Sequence, residues 1–223
     1  MAPASKGSST VSSSKGRDDG GRGSVAKKVD HEQRKREIAE TAIRLFSQVG
    51  YDNVSLIMIA AATGISRTAL YRYFCSKREV MDAAIVAITD GIDRRCRKII
   101  FSRATSTEKL KGICHTVVEE MFKNKEFLVA VFDFVVGMVR TGAEMDGNIS
   151  RFTAGTHKAI RLLIRHAIAN GEIRQNLDVE RISDVIYSEF ESCAMRIVVG
   201  TEHTAKAAKV RFSDIVSAIS TWK

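Results

Sequence analysis

Thr63-Gly-Ile-Ser-Arg-Thr-Ala-Leu-Tyr-Arg-Tyr-Phe-Cys-Ser-Lys77 is the stretch on which the reading of this sequence turns. Gly64 can take a left-handed backbone conformation at no steric cost, so the chain can change direction there. Ser66 then offers a side-chain oxygen where a third helix, running to about Tyr73, needs its cap. Ile65 and Leu70 anchor the inner face of that segment and leave Arg67, Thr68, Tyr71 and Arg72 facing outward. Upstream, Ser55 can cap a short helix over Leu56 to Thr63 whose Ile59 and Ala60 face inward. A short helix, a glycine turn and a second helix with a polar outer face are what a helix-turn-helix requires. The outward residue types suit DNA: guanidinium for guanine edges or phosphates, hydroxyls for phosphates, a ring for thymine methyls. An ordinary helix pair with a solvated face fits the same pattern. Charge favours the DNA reading, because Arg67, Arg72, Lys77 and Arg78 stand between Ser66 and Arg78 with no acid among them.

Outward from this stretch the helical period continues. Asp30-His-Glu-Gln33 has the form of a capping box, and Ile38, Ala42, Leu45, Phe46 and Val49 then recur on one helical face that closes at Gly50. Ser76-Lys-Arg-Glu79 opens a long fourth helix with the apolar line Val80, Ala84, Ile88, Ile92, Cys96 and Ile99. Thr105 to Glu108 starts another helix, Glu126 to Arg140 is strongly apolar, and Thr141 to Gly147 reads as a loop. Ser150 to Asn170, a helix capped by Asp178, and a last helix bearing Ala208, Phe212, Ile215, Ile219 and Trp222 complete the pattern. The single proline, Pro3, interrupts none of this. The expectation is an all-α chain of about nine helices, with an N-terminal three-helix helix-turn-helix domain joined by the long fourth helix to a C-terminal helical bundle.

With 223 residues, the chain is long enough for both parts. Its net charge of +9 suits a polyanionic partner but is unevenly spread. Residues 1–29 hold six basic and two acidic side chains, residues 30–85 eight and seven, and residues 86–223 the remaining 21 and 17. These are the expected divisions: a disordered Ser/Gly/Lys tail over 1–29, a DNA-binding domain over 30–85, and the larger bundle over 86–223. Within the tail, Arg22, Lys27 and Lys28 suit either a plain linker or an arm reaching DNA. Cys75, Cys96, Cys114 and Cys193 have no C-x-x-C spacing, so reduced thiols in a cytoplasmic protein are expected. No run of 18 apolar residues marks a membrane span, and no apolar segment marks a secretory signal. The five histidines, His31, His115, His157, His166 and His203, are scattered, and no nucleophile triad, phosphate loop or metal spacing accompanies them. Neither an enzyme, a cofactor nor a metal is expected.

Thr63 to Lys77, preceded by Ile59-Ala-Ala-Ala62, resembles the signature of the TetR family of bacterial transcriptional regulators. The spacing Leu70-Tyr71-x-x-Phe74-x-x-Lys77 is its specific part, and Leu45-Phe46-x-x-x-Gly50-Tyr51 is similar to the family's first helix and turn. The motif covers about Asp30 to Ile85. Farther on, Asn170-Gly-Glu-Ile-Arg174 and Leu177-Asp178 resemble the join before the family's last two helices. The resemblance implies that Arg67, Thr68 and Tyr71 face bases of double-stranded DNA. It implies that Ser55, Ser66, Arg72, Tyr73 and Lys77 hold phosphates, Lys77 from a helix N-terminus that also favours anions. Ala69 and Met58 depart from the pattern, where the family often has a hydroxyl and an acidic residue.

For the larger bundle the resemblance implies a small-molecule pocket and a homodimer. Phe122, Phe132, Asp133, Met138, Arg140 and Phe152 are the pocket candidates, although an aromatic and methionine stripe also suits plain core. Ile182, Ile186, Phe212, Ile215, Ile219 and Trp222 are the dimer candidates, although the same faces would serve to close the monomer. The expected function is a repressor that dimerises on a palindromic operator and is released when an unidentified ligand moves the fourth helix. The alternative is an architectural DNA-binding protein without a ligand, which would bind with steep salt dependence and little site preference.

Overall fold

The computed structural model describes residues 20–142 and 147–220, with side chains from residue 30 onward. Helices make up nearly all of it: α1 Gly20–Val49, α2 Leu56–Ala62, α3 Arg67–Leu70, α4 Lys77–Ile100, α5 Ser106–Lys123, α6 Lys125–Thr141, α7 Gly147–Ala169, α8 Val179–Val198 and α9 Ala205–Ile219. Among the described residues the extended pairing is one isolated bridge between Ile173 and Ser220. The chain separates into two compact units, residues 1–34 and 35–223. The described part of the first is helical.

α1 starts at Gly20, not at Asp30. Asp30 to Gln33 therefore lies inside the helix rather than at its start. The reason is local: an N-cap must have non-helical backbone angles, and nothing between Gly23 and Asp30 breaks the helix. The rest of the tail lies outside the described residues.

Six of the other helix starts follow their capping residues. Ser55, Ser66, Ser76, Thr105, Asp178 and Thr204 each accept a bond from a backbone N–H in the first turn of α2, α3, α4, α5, α8 and α9. At α5 the box is complete, Thr105 and Glu108 each bonding the other's backbone. At α4, Ser76 accepts from the Glu79 N–H at 3.1 Å, but Glu79 reaches one residue farther back and accepts from the Cys75 N–H at 2.8 Å. A second carboxylate reinforces α5 from across the chain. Glu172 accepts from the N–H groups of Ser106 (3.1 Å) and Thr107 (2.8 Å). Its burial opposes ionisation, but these bonds and the Thr107 hydroxyl prevail and hold its carboxyl below the usual range. The Asn170 to Arg174 segment thus has a clear structural purpose, which is to seat the start of α5.

Two large cores form because each helix buries one face. The first joins α1 to α4 with one side of α6: Ile38, Phe46, Ile59, Leu70, Met81 and Ile85 meet Ala130, Phe134 and Met138. The second gathers the end of α4 with α5, α7, α8 and α9 around Leu110, Cys114, Ile160, Ile186, Phe190 and Phe212. Phe190 and Phe212 lie with ring centroids 4.5 Å apart. A small third cluster holds Ala167, Ile173 and Ile219. These positions correct the expected dimer face. Ile186, Phe212 and Ile219 are buried inside the chain, Ile182 and Ile215 are half-buried against the same clusters, and Trp222 lies outside the described residues. A terminal amphipathic helix can bury its apolar face on α5 as readily as on a second copy, and α9 does the former.

α8 and α9 are further held by two carboxylates and two guanidinium groups. Glu202, 7% exposed, accepts from Arg196 at 3.1 Å and from Arg211, while Glu189 accepts from Arg196 at 2.6 Å and Arg211 at 3.0 Å. Burial alone would raise the Glu202 carboxyl, but the two arginines outweigh it and hold it below its ordinary value. A carboxyl lowered by folding stabilises the fold above the unfolded value and loses that contribution as pH falls through the folded one. We therefore expect the thermal midpoint to fall as pH drops below about 5. Glu202→Gln should lower stability at neutral pH by on the order of 2 kcal/mol, the arginines being partly able to turn to water, and should flatten the acid limb. Thermal unfolding followed by circular dichroism between neutral and acidic pH reads both.

Candidate nucleic-acid interface

α2 ends at a glycine turn. Gly64 has φ +68°, the Gly64 N–H bonds the Ala61 carbonyl and the Ile65 N–H bonds the Ala60 carbonyl. This closure leaves the helix with its last carbonyls paired and directs the chain into α3. α3 is shorter than expected. It ends at Leu70, and Arg72 and Tyr73 bond the carbonyls of Ala69 and Leu70 three residues back, so the chain tightens before α4 begins. Leu70 and Phe74 are buried beneath it.

The outer face is as the sequence laid it out. Ser55, Ser66, Arg67, Thr68, Tyr71 and Arg72 are exposed and Tyr73 is half-buried. The Arg67 guanidinium donates to the Tyr71 hydroxyl at 3.3 Å and lies 5.5 Å from its ring centre. The two predicted base readers therefore brace each other across one helical turn. Met58, whose N–H donates to Ser55 at 3.3 Å, has no acceptor to return the bond, so the α2 cap is one-sided.

Lys77 is placed differently from the phosphate contact expected of it. Its ammonium donates to the carbonyls of Tyr51 (2.8 Å) and Asp52 (3.0 Å) and sits 4.5 Å over the Tyr51 ring. It ties the α1–α2 turn to the start of α4. That turn depends on Gly50, whose φ of +87° favours glycine, and it is clamped from the other side by α6. The Tyr51 N–H donates to the Asp133 carboxylate at 2.5 Å, and the Tyr51 and Phe134 rings meet edge-on at 4.8 Å. Arg78 lies 4.9 Å over the Phe134 ring. Burial pushes the Tyr51 phenol up to about 12, so it is neutral at physiological pH.

The opposite side of α6 faces a cavity of about 600 Å³. Phe127, Leu128, Val131, Phe132 and Val135 form that wall, opposed by Ile85, Ile88 and Ile92 of α4, Phe152, Thr153 and Thr156 of α7, and Tyr187 and Phe190 of α8. Of the six pocket candidates, Phe132 and Phe152 line this cavity. Phe122 lines a separate concavity beside Arg36, Arg44 and Arg94. Met138 belongs to the first core, Asp133 is half-buried against the Tyr51 N–H, and Arg140 is exposed. The helical period explains the split: Asp133 and Phe134 point one way and Phe132 and Val135 the other. Asp133, a pocket candidate in the sequence, is instead the partner of Tyr51, a pairing invisible in residue types because the donor is a backbone N–H.

Among the described residues no helix is long and apolar enough to cross a membrane, and no group of three His, Cys, Asp or Glu side chains could hold a metal ion. The sequence profile of bacterial regulatory proteins of the tetR family matches residues 38–84. The HTH-type transcriptional regulator PksA of Bacillus subtilis is 22% identical over 78% of this chain and 83% of its own. The negative transcriptional regulator IcaR of the biofilm operon icaADBC in Staphylococcus aureus is 27% identical over 52% of this chain and 59% of its own. In fold, the ketosteroid transcriptional regulator KstR2 of Mycobacterium tuberculosis superposes with a TM-score of 0.68 at 21% identity, covering 85% of this chain and 96% of that one.

Proposed function

We propose that this chain is a DNA-binding transcriptional regulator of the TetR type, a repressor that binds a palindromic operator as a homodimer and is released from it by a small molecule. The observation that carries this reading is the double duty of α6. Phe132 and Val135 line the cavity, while Asp133 and Phe134 between them hold the turn that precedes the helix-turn-helix. A molecule entering the cavity presses on the same helix that positions Tyr51. Residues 30–85 are then the reading domain and 86–223 the sensing and dimerising one, with α6 rather than α4 alone carrying the signal. A coupling of ~1–3 kcal/mol suffices for a 5–150-fold change in operator affinity. Repression is supported by IcaR, a negative regulator.

For the dimer face a different row of side chains replaces the sequence candidates. Val185, Met195 and Val199 recur on one side of α8 and are 49%, 47% and 60% exposed, with Leu162 of α7 at 47%. Large apolar side chains in such a row are what a two-fold partner covers. Dimerisation would double the weak contacts of one short α3, with half-sites about one helical turn (~34 Å) apart.

Selection of bound sequences from random DNA, followed by light scattering of the complex, tests the reading directly: a palindrome holding two copies is expected. A reporter driven by a promoter containing that palindrome should be more active without the protein than with it. Asp133 is a positioning residue in this scheme. Asp133→Ala leaves the Tyr51 N–H unpaired and frees the turn, so operator affinity should drop about 5-fold with no ligand present, the low end of ordinary coupling energies. Unchanged affinity in a fluorescence anisotropy titration would remove α6 from the path.

A further inference from the structure

The cavity beside α6 has an unusual charge inventory. Its lining includes two carboxylates, Glu120 and Glu191, and no Lys, Arg or His. Glu120 is paired on both oxygens: one accepts from Arg95, which stands outside the lining, at 2.5 Å, and the other from the Asn124 amide of the wall at 3.1 Å. Glu191 is exposed to solvent. The interior therefore offers no uncompensated charge of either sign. A ligand carboxylate or phosphate would enter without a counter-ion, and a ligand ammonium would find its one inner carboxylate already paired. Burying an unpaired charge is expensive either way.

The wall's neutral polar groups are mostly acceptors. The Thr89 hydroxyl donates to the Ile85 carbonyl at 2.8 Å, Thr156 donates to the Phe152 carbonyl at 2.9 Å, and Tyr187 donates to Thr153 at 3.1 Å. The Asn124 amide donates both to the Glu120 carbonyl and to its carboxylate. With these protons committed, Thr89, Thr156, Tyr187 and Asn124 offer oxygen lone pairs, while Thr153, which accepts from Tyr187, keeps its own hydroxyl proton. A wall of acceptors with a donor among them, in an otherwise apolar chamber, is matched by a hydroxyl, which both gives and takes a hydrogen bond.

We propose, building on the regulatory reading above, that the cavity takes an uncharged, mostly hydrocarbon molecule that carries a hydrogen-bond donor such as a hydroxyl, and that it discriminates against anionic and cationic amphiphiles of the same length. The test uses the full chain and a matched set of probes with one alkyl chain: dodecan-1-ol, dodecanoate, dodecylammonium and dodecyl acetate, below their aggregation limits at neutral pH. Calorimetric titration should give an alcohol affinity about tenfold or more above that of either ion, and above that of the ester, which lacks a donor; tenfold corresponds to about 1.4 kcal/mol. A diazirine-bearing alcohol should label peptides of α4 to α8. An ion bound as tightly as the alcohol, failure of the alcohol to bind, or labelling elsewhere would overturn the assignment. Operator affinity read in the same samples separates the two levels: alcohol bound at the labelled site with no change in DNA affinity overturns the regulatory reading and leaves the ligand class standing.

Discussion

Replacing Arg67 by alanine should cost the selected palindrome about 2–6 kcal/mol of binding free energy while leaving affinity for unrelated duplex nearly unchanged. The figure follows from geometry. A guanidinium paired with a guanine edge contributes ~1–3 kcal/mol of discrimination, and a two-fold dimer makes the contact twice. Arg67 is prepared for it: it lies exposed on the first turn of α3, already held against Tyr71 at 3.3 Å, so little side-chain freedom is lost on binding. Arg72→Ala should behave differently. A phosphate contact carries no sequence information, so all duplexes should weaken together and the slope of log affinity against log salt should fall by about 1 per copy. Anisotropy titrations on the palindrome and on scrambled DNA over a range of salt concentrations separate the two. If Arg67→Ala left the ratio of specific to non-specific affinity unchanged, the protein would be an architectural DNA binder rather than a site-reading regulator.

Phe212→Ala is expected to lower the stability of the chain by about 3–5 kcal/mol. Phe212 is fully buried, packs 4.5 Å from Phe190, and sits where α9 closes on α5. Alanine there leaves a cavity that helices anchored at both ends cannot fill. Val185→Glu makes the contrast. Val185 is about half exposed, so a carboxylate costs the isolated chain little, yet two copies of it facing each other across a two-fold axis would prevent association. Urea unfolding at several protein concentrations distinguishes these effects, since only loss of association depends on concentration. The expected outcome is an early, concentration-independent shift for Phe212→Ala and a change from dimer to monomer on size exclusion for Val185→Glu. A Phe212→Ala protein that dissociated without losing stability would return that residue to the interface.

The fate of Lys77 shows how far residue types carry. Its position at the start of α4 and its place in the Leu-Tyr-x-x-Phe-x-x-Lys spacing were both evident, and a phosphate contact was the natural expectation. In the folded chain its ammonium is turned onto the Tyr51 and Asp52 carbonyls. The spacing thus marks a residue that sets the angle of the helix-turn-helix, and Lys77→Ala acts first on that turn.

What the sequence determined by itself was everything written in local chemistry. Ser55, Ser66 and Ser76 announce three helix starts, Gly50 and Gly64 the two turns, and the apolar period the inner faces, because caps, positive φ and helical spacing involve residues within a few positions of one another. The exposure of Arg67, Thr68, Tyr71 and Arg72 is legible for the same reason. Tertiary structure decided the rest. Whether Phe212 or Val185 faces a partner depends on which helix happens to cover it, and both carry the same apolar signal. The tie between Tyr51 and Asp133 joins residues 82 positions apart through a backbone N–H. Only the packing of α6 against the α1–α2 turn brings those groups together, and packing is a property of whole surfaces that no short stretch of sequence contains.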